Sequence, residues 1–314
     1  MRILIAGELN PDLILRGYQF FPTPGKEILV KDLELTLGSS SAICAVGLAR
    51  LGNPVRFAGN VGQDLYGDYC LGILQREGID TSLMKRRADL KTGITVSVTS
   101  PGDRALITYP GAIASLTAQD LPPEVFSSCC HFHVSAYYLQ DGLRSGLKEL
   151  FRTAHQLGLT TSLDTGWDPA EQWGDELIDT LTEVDVFLPN ESEIRAISGC
   201  HDVLAGLERL QNGRTLVIGK LGADGCVTIC HGRTIRQPAF PIEVVDTTGA
   251  GDSFVAGFLH AWLRRWLLQD CLRFASACGA LSTRGIGGTS AQPSYPEAES
   301  FMLAQATKKM RSSN

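Results

Sequence analysis

The residues best suited to chemistry lie in residues 244–267, V-V-D-T-T-G-A-G-D-S-F-V-A-G-F-L-H-A-W-L-R-R-W-L. An apolar strand end leads into a polar turn, and an apolar helix follows over about residues 253–267, with Asp252 roughly at its cap. Gly249 and Gly251 remove side chains where backbone must approach a ligand closely. The backbone N–H groups of Gly249, Ala250, Gly251 and Asp252 are expected to converge with the positive end of the helix dipole, which makes an anion site. A carboxylate inside an anion site repels what the amides attract. That placement makes sense if Asp252 accepts the proton of an attacking hydroxyl while the amides stabilise charge on a transferring phosphoryl group. The plain alternative is a capped helix after a glycine turn.

Such a turn must be held at the edge of a sheet, and the rest of the chain supplies one. Strand-like runs at residues 3–6, 55–61, 131–134, 160–163, 186–188 and 215–218 alternate with helix-like segments at 40–51, 66–77, 143–157 and 204–210. Glycines close two of those helices, Gly52 and Gly78. The alternation predicts an α/β fold with a mostly parallel central sheet covered by helices on both faces. Two segments break it. Residues 14–36 and 92–111 read as extended strands with turns, the second as a hairpin around Pro101-Gly102-Asp103. They are expected to form a small β lid on a body made of residues 1–13, 37–91 and 112–314; antiparallel edge strands on the main sheet are the alternative. The basic tail K-K-M-R-S-S-N reads as a frayed end.

Composition narrows the partners. The chain has 314 residues, 44% hydrophobic and 20% charged, which is ordinary for a globular protein. Lys plus Arg total 28 against 34 Asp plus Glu, giving −6, so nucleic acid is not an expected partner. An anionic ligand must be held by local donors. The opening M-R-I-L-I-A reads as a buried first strand rather than a signal peptide, and no apolar run reaches the ~20 residues that span a bilayer. Nine scattered cysteines, an odd number with no C-x-x-C pair, fit reduced thiols in a cytoplasm.

D-T-T-G-A-G-D-S-F-V-A-G-F closely resembles the C-terminal signature of the ribokinase-like (PfkB) carbohydrate kinase family. G-N-V-G-Q-D-L-Y-G at residues 59–67 is similar to its N-terminal signature, preceded by Gly38 and by A-V-G-L-A-R-L-G at 45–52. Asn10-Pro11-Asp12 resembles a substrate-contacting N-x-D, Asn190 and Glu193 an N-x-x-E motif, and K-L-G-A-D-G at 220–225 a turn near the ATP phosphates. These blocks occur in family order along nearly the whole chain. The resemblance implies a three-layer α/β/α sandwich with a small β lid, and an ATP-dependent phosphotransferase acting on a hydroxyl of a sugar or sugar-like molecule. It implies Asp252 as base, with Gly249, Ala250 and Gly251 in the anion hole. Asp12, Gly38, Ser39, Asp164 and Trp167 would meet substrate. Asn190 and Glu193 would organise Mg²⁺ through its water shell. Lys220, Gly222, Gly225, Thr247 and Cys278 would lie along ATP. Asp246, Thr248 and Gly287 would hold a monovalent cation, K⁺. Homodimerisation through the lid is a further implication. A nucleoside kinase of the same fold and a catalytically silent sugar-binding regulator are the alternatives.

Departures from the family pattern bear on the substrate. Ser39 replaces the second of a glycine pair, and Ile43 stands where the family often has an Asn that contacts a sugar hydroxyl. D-T-G-W-D at 164–168 replaces D-x-N-x-R, so the Arg that would suit a carboxylate or phosphate on the sugar is absent from that motif. Trp167 is a candidate to stack on a sugar ring, or a packed loop aromatic. Asn190 and Glu193 also spell a capping box, and Asp12 could be a turn-stabilising residue. Cys129-Cys130-His131-Phe132-His133 looks metal-like, but alternate strand residues point to opposite faces and no second ligand cluster follows at zinc spacing. His131 and His133 share a face, so one of them is a candidate to line the cleft; Cys226 and Cys230 read as core thiols. Arg104 is either a lid residue reaching the ligand or a solvated turn charge. No G-x-x-x-x-G-K-[ST] or dinucleotide fingerprint occurs.

Overall fold

The computed structural model describes residues 2–312 except Gln19, Pro22, Pro101 and Gly102; the side chains of residues 99, 100, 103, 104 and 306–312 also lie outside the described set. Arg104 and the tip of the expected hairpin are therefore outside it.

The chain forms thirteen strands and nine α-helices in the order β1 Arg2–Ala6, β2 Pro11–Arg16, β3 Asp32–Leu37, α1 Ser40–Arg50, β4 Val55–Gly62, α2 Leu65–Arg76, β5 Asp80–Arg87, β6 Ile94–Ser100, β7 Asp103–Tyr109, β8 Cys129–Val134, α3 Asp141–Gln156, β9 Thr160–Leu163, α4 Asp175–Leu181, β10 Val186–Phe187, α5 Glu191–Ser198, α6 Val203–Leu210, β11 Leu216–Lys220, β12 Cys226–Cys230, β13 Arg233–Gln237, α7 Ala250–Trp262, α8 Leu268–Ser282 and α9 Tyr295–Ser312, counted among the described residues. Nine strands form one sheet in the order β13-β12-β11-β10-β9-β8-β1-β4-β5. From β11 through β5 all neighbours are parallel, and β12 and β13 add an antiparallel edge.

The first strand shows why the sheet needs helices on both faces. Ile3 and Ile5 pack into one core cluster with residues of α1, α7 and α8, whereas Leu4 and Ala6 pack into another with residues of α3, α4 and α6. The result is a three-layer α/β/α sandwich. A separate four-stranded sheet, β3-β2-β6-β7, stands apart from it as a small lid. Asp12 falls on β2, paired with Thr36 and Thr95.

Some elements differ from expectation. The helix after the glycine turn runs Ala250–Trp262 and is capped by Gly249, so Asp252 is its third residue and not its cap. It ends before residue 267 because Arg265 turns to φ 60°, after which Leu267 caps α8. The hairpin strand β13 was not anticipated; its two-residue turn, His231 and Gly232, has φ of 50° and 72°. Cys226 is buried, but Cys230, at the hairpin end, is only partly so. α9 extends to Ser312, into the stretch expected to fray. No described helix is long and apolar enough to cross a membrane.

Candidate functional site

The functional candidates gather at the carboxyl ends of the parallel strands, where open α/β sheets bind ligands. Gly7 to Asn10 follow β1, Asp164 follows β9, Asn190 follows β10, and Lys220 ends β11. The backbone fixes their spacing. The Leu188 amide donates to Leu163 O at 3.0 Å and the Lys220 amide to Pro189 O at 2.9 Å.

Lys220 is the pivot. Its ammonium forms an ion pair with the Asp164 carboxylate, and both side chains are nearly inaccessible, 12% and 6% exposed. A β-carbon placed on Gly251 would lie 3.6 Å from the same Nζ, so the ammonium sits against the first turn of α7. Burial disfavours its charge, yet Asp164, Glu193 and Asp252 hold its pKa above that of an ordinary lysine. The sequence reading placed Lys220 in a turn beside phosphates; the structure shows it as a buried cation among three carboxylates.

Glu193 and Asn190 form a reciprocal cap. Glu193 Oε2 accepts the Asn190 amide at 2.7 Å, and Asn190 Oδ1 accepts the Glu193 amide at 2.9 Å. Burial, and then Asp164, push Glu193 up to about 7, opposed by Lys220 and the Asn190 amide. Cys44, inside α1, marks where the charges converge. Burial drives its thiol well above the usual range, and Asp252, Asp164, Lys220 and Glu8 all act on it electrostatically.

At the head of α7, Gly249 has φ 71°, and a β-carbon there would meet Gly288 Cα at 2.6 Å and Ile43 Cγ2 at 3.0 Å. Ile43 thus packs beneath this turn. Of the amides expected to face an anion, that of Ala250 donates to Thr247 O at 3.2 Å. Gly251 and Asp252 belong to the first turn, whose N–H groups have no helical acceptor. The Asp246 carboxylate binds two loops together: Oδ1 accepts the Thr248 amide at 2.9 Å and hydroxyl at 2.8 Å, and Oδ2 accepts the Gly287 amide at 2.8 Å. Thr247 is exposed.

On the lid side, Asp12 reaches over Gly38 so closely that a β-carbon there would lie 1.9 Å from Oδ1. Ser39 holds φ 73° and caps α1, its Oγ accepting the Ala42 amide at 3.2 Å and donating to Glu8 O. Trp167 is 49% exposed and meets Trp173 edge-on at 4.9 Å, which in turn meets Tyr138 at 5.2 Å. Asp168 turns inward, accepting the amides of Ala170, Gln172 and Trp173 at 2.8–2.9 Å. The turn after β11 is closed by the Leu221 amide on Gly225 O at 2.8 Å, with Gly222 exposed and Gly225 at φ 89°.

Two expectations give way. The Cys278 side chain is not directed at a ligand groove: it is 1% exposed, with its Sγ against Gly257 between α7 and α8. His131 and His133 do not line a cleft. Both are fully buried in a chain of bonds, Thr160 Oγ1 to His131 Nδ1 at 2.8 Å, His131 Nε2 to Ser162 Oγ at 2.7 Å, Ser162 Oγ to His133 Nδ1 at 2.7 Å, and His133 Nε2 to Ser135 Oγ at 2.8 Å. Glu8 was missed. An acid directly after an apolar first strand was the available signal.

A family model described as "pfkB family carbohydrate kinase" matches residues 2–294. A fructokinase from Klebsiella pneumoniae is 32% identical over 274 residues, covering 82% of this chain and 88% of its own. An aminoimidazole riboside kinase from Salmonella typhimurium is 32% identical over 292 residues, covering 86% and 90%. Among solved structures, a fructokinase with bound ATP from Xylella fastidiosa superposes with a TM-score of 0.82 at 25% identity, over 97% of this chain and 99% of that one.

Proposed function

Because the chain belongs to the pfkB family of carbohydrate kinases, we propose that it transfers the terminal phosphoryl group of ATP to a hydroxyl of a sugar or sugar-like molecule, with Asp252 as base. The observation that carries this reading is the buried Lys220 ammonium lodged between Asp164 and the first turn of α7, beside Asp252. Phosphoryl transfer needs positioned positive charge more than covalent chemistry. Lys220 and the amides of the first turn supply it, and Asp252 takes the proton released by the attacking hydroxyl.

ATP would run along the turn at Lys220, Gly222 and Gly225, with Thr247 at the exposed lip. Asn190 and Glu193 fit Mg²⁺ through its waters. Each already commits one oxygen to the cap, which suits hydrogen bonds to a hydrated ion better than direct ligation. Bound there, Mg²⁺ would neutralise phosphate oxygens. Asp246, Thr248 and Gly287 suit a monovalent cation such as K⁺, since the Asp246 carboxylate fixes both loops that would offer it oxygen ligands. Asp12, Gly38 and Ser39 would meet the sugar, with Trp167 at the rim. Asp168, where the family often has Arg, leaves no motif cation for a phosphate or carboxylate on the acceptor, which favours an uncharged one.

The test is Asp252→Asn, assayed by coupled ADP detection over ketoses, aldoses and nucleosides. We expect a loss of roughly 10²–10⁴ in kcat, the range for a positioned general base, with ATP affinity within twofold of wild type. Unchanged turnover would sink the assignment. A nucleoside preferred over every free sugar would move the chain to the nucleoside kinases. Wild-type protein that binds sugar without turnover on the whole panel would make it a silent binder.

A further inference from the structure

Glu8 is the buried carboxylate that the mechanism above does not use. It is 2% exposed, two residues beyond the end of β1. Its Oε1 accepts the Ser41 amide at 3.0 Å, and its Oε2 accepts the Ser41 hydroxyl at 2.6 Å. Its backbone carbonyl accepts the Ser39 hydroxyl. Two residues on, Asn10 O accepts the Gly38 amide at 3.0 Å, and Asn10 Nδ2 reaches Thr95 Oγ1 of the lid at 3.4 Å. The approach is tight. A β-carbon on Gly7 would fall 2.0 Å from Ser41 Oγ, so only glycine lets α1 come this close to the β1 exit.

These contacts join two segments that carry the sugar candidates. Residues 7–12 lead to Asp12, and residues 38–41 begin α1 with Gly38 and Ser39. Ser39 has φ 73° and ψ 116°, a conformation that costs a non-glycine residue energy and persists only where neighbours hold it. The neighbours that hold it are Glu8 and the Ala42 amide. Charge-assisted bonds from a carboxylate to helix N-terminal donors are among the stronger ones available.

We propose that Glu8 is a positioning residue for the acceptor sugar: its carboxylate clamps the start of α1 to the segment leaving β1, so that Asp12 and the Gly38–Ser39 turn keep the spacing that sugar hydroxyls need. This deepens the kinase reading and rests on it. A residue that merely stabilised the fold would weaken sugar and nucleotide kinetics alike. Glu8 bonds the start of α1, beside Gly38 and Ser39, so its loss should act first on the sugar.

The experiment is steady-state kinetics of the full chain with Glu8→Gln and Ser41→Ala, alongside amide hydrogen exchange at residues 38–43. Glu8→Gln keeps the shape and replaces one of the two accepting oxygens with an amide donor. It should raise KM for the sugar about tenfold, leave KM for ATP within twofold, and speed exchange at 38–43 at least tenfold. Ser41→Ala, which removes one donor and leaves Glu8 in place, should shift the sugar KM the same way by a smaller factor; it decides the matter if Glu8→Gln does not fold. The proposal is overturned if both variants keep the sugar KM within twofold, or if the ATP KM rises in step with it. Should wild-type protein phosphorylate no sugar, the kinase reading fails by itself. The exchange arm then judges Glu8: faster exchange at 38–43 supports the clamp, and unchanged exchange removes it.

Discussion

Lys220→Met would take the counter-ion from Asp164, whose side chain is 6% exposed and has Glu193 as an acidic neighbour. Removing one partner of a buried ion pair costs about 3–5 kcal/mol, because the remaining charge is stranded. With an unfolding entropy of about 2.1 cal/mol/K per residue over 314 residues, the chain loses about 0.66 kcal/mol per kelvin at its midpoint. A deficit of about 4 kcal/mol therefore lowers Tm by about 6 °C. Asp164→Asn added to Lys220→Met removes the stranded charge, and replacing a whole buried pair is often close to neutral. The double variant should recover about half or more of the lost Tm. Activity should not follow. Both variants lack the ammonium beside Gly251, and loss of one such electrostatic group costs about 10²–10³ in kcat. The assays are thermal melts of the three proteins and their sugar-dependent ADP release. A single variant melting within about 1 °C of wild type, or a double variant no more stable than the single, would refute the view that this pair is buried and mutually dependent. Activity restored in the double variant would refute the role given to Lys220.

Acid should weaken the fold through the histidine chain. Burial lowers His133 to about 4, with Asp164 opposing and Lys220 assisting, and burial also holds His131 well below the ordinary histidine range. An unfolded histidine titrates near 6.5. Below that pH the unfolded chain binds protons that the folded chain refuses, so stability is complete above about 6.5 and declines as pH falls towards 4. From 6.5 to 5, His133 alone accounts for about 2 kcal/mol. Urea midpoints at the two pH values measure it, and a slope unaltered by His133→Asn would contradict it. The lid should carry a homodimer. Leu13, Leu15, Leu33, Leu35, Val96 and Ile107 share one face by register, opposite to that of Asp12, and Leu33 and Ile107 are 57% and 58% exposed. Sedimentation should give a dimer mass for wild type and a monomer for Leu33→Glu with Ile107→Glu; a monomeric wild type overturns the expectation.

The parallel sheet was legible because several of its strands, β1 and β4 among them, are short apolar runs and two of the helices between strands close on glycines, Gly52 and Gly78. The lid was legible from strand patterns with no helix between them. What stayed hidden depends on contacts between distant residues. Nothing local in K-L-G-A-D-G says that Lys220 folds back onto Asp164, 56 residues earlier. N-x-x-E reads equally as a helix cap and as a metal-organising pair, and the structure forms the cap. Nor does the sequence around Cys278 say that helix packing against Gly257 buries its side chain. Ser39 was read as a lost glycine; its positive φ shows that the backbone still demands what a glycine would give, with a side chain that caps and anchors instead.

The electrostatics of the site explain how a chain of net charge −6 can receive a polyphosphate. Charges on the far surface are screened beyond about 8 Å at physiological salt, so only the local set counts. Lys220 offsets Asp164. Burial, and then Asp164, raise Glu193 and so favour its neutral form. What remains is Asp252 against about half a positive charge from the α7 dipole. That balance does not attract bare polyphosphate. It suits one that brings its own cations, and the nearby ammonium is shared among Asp164, Glu193 and Asp252.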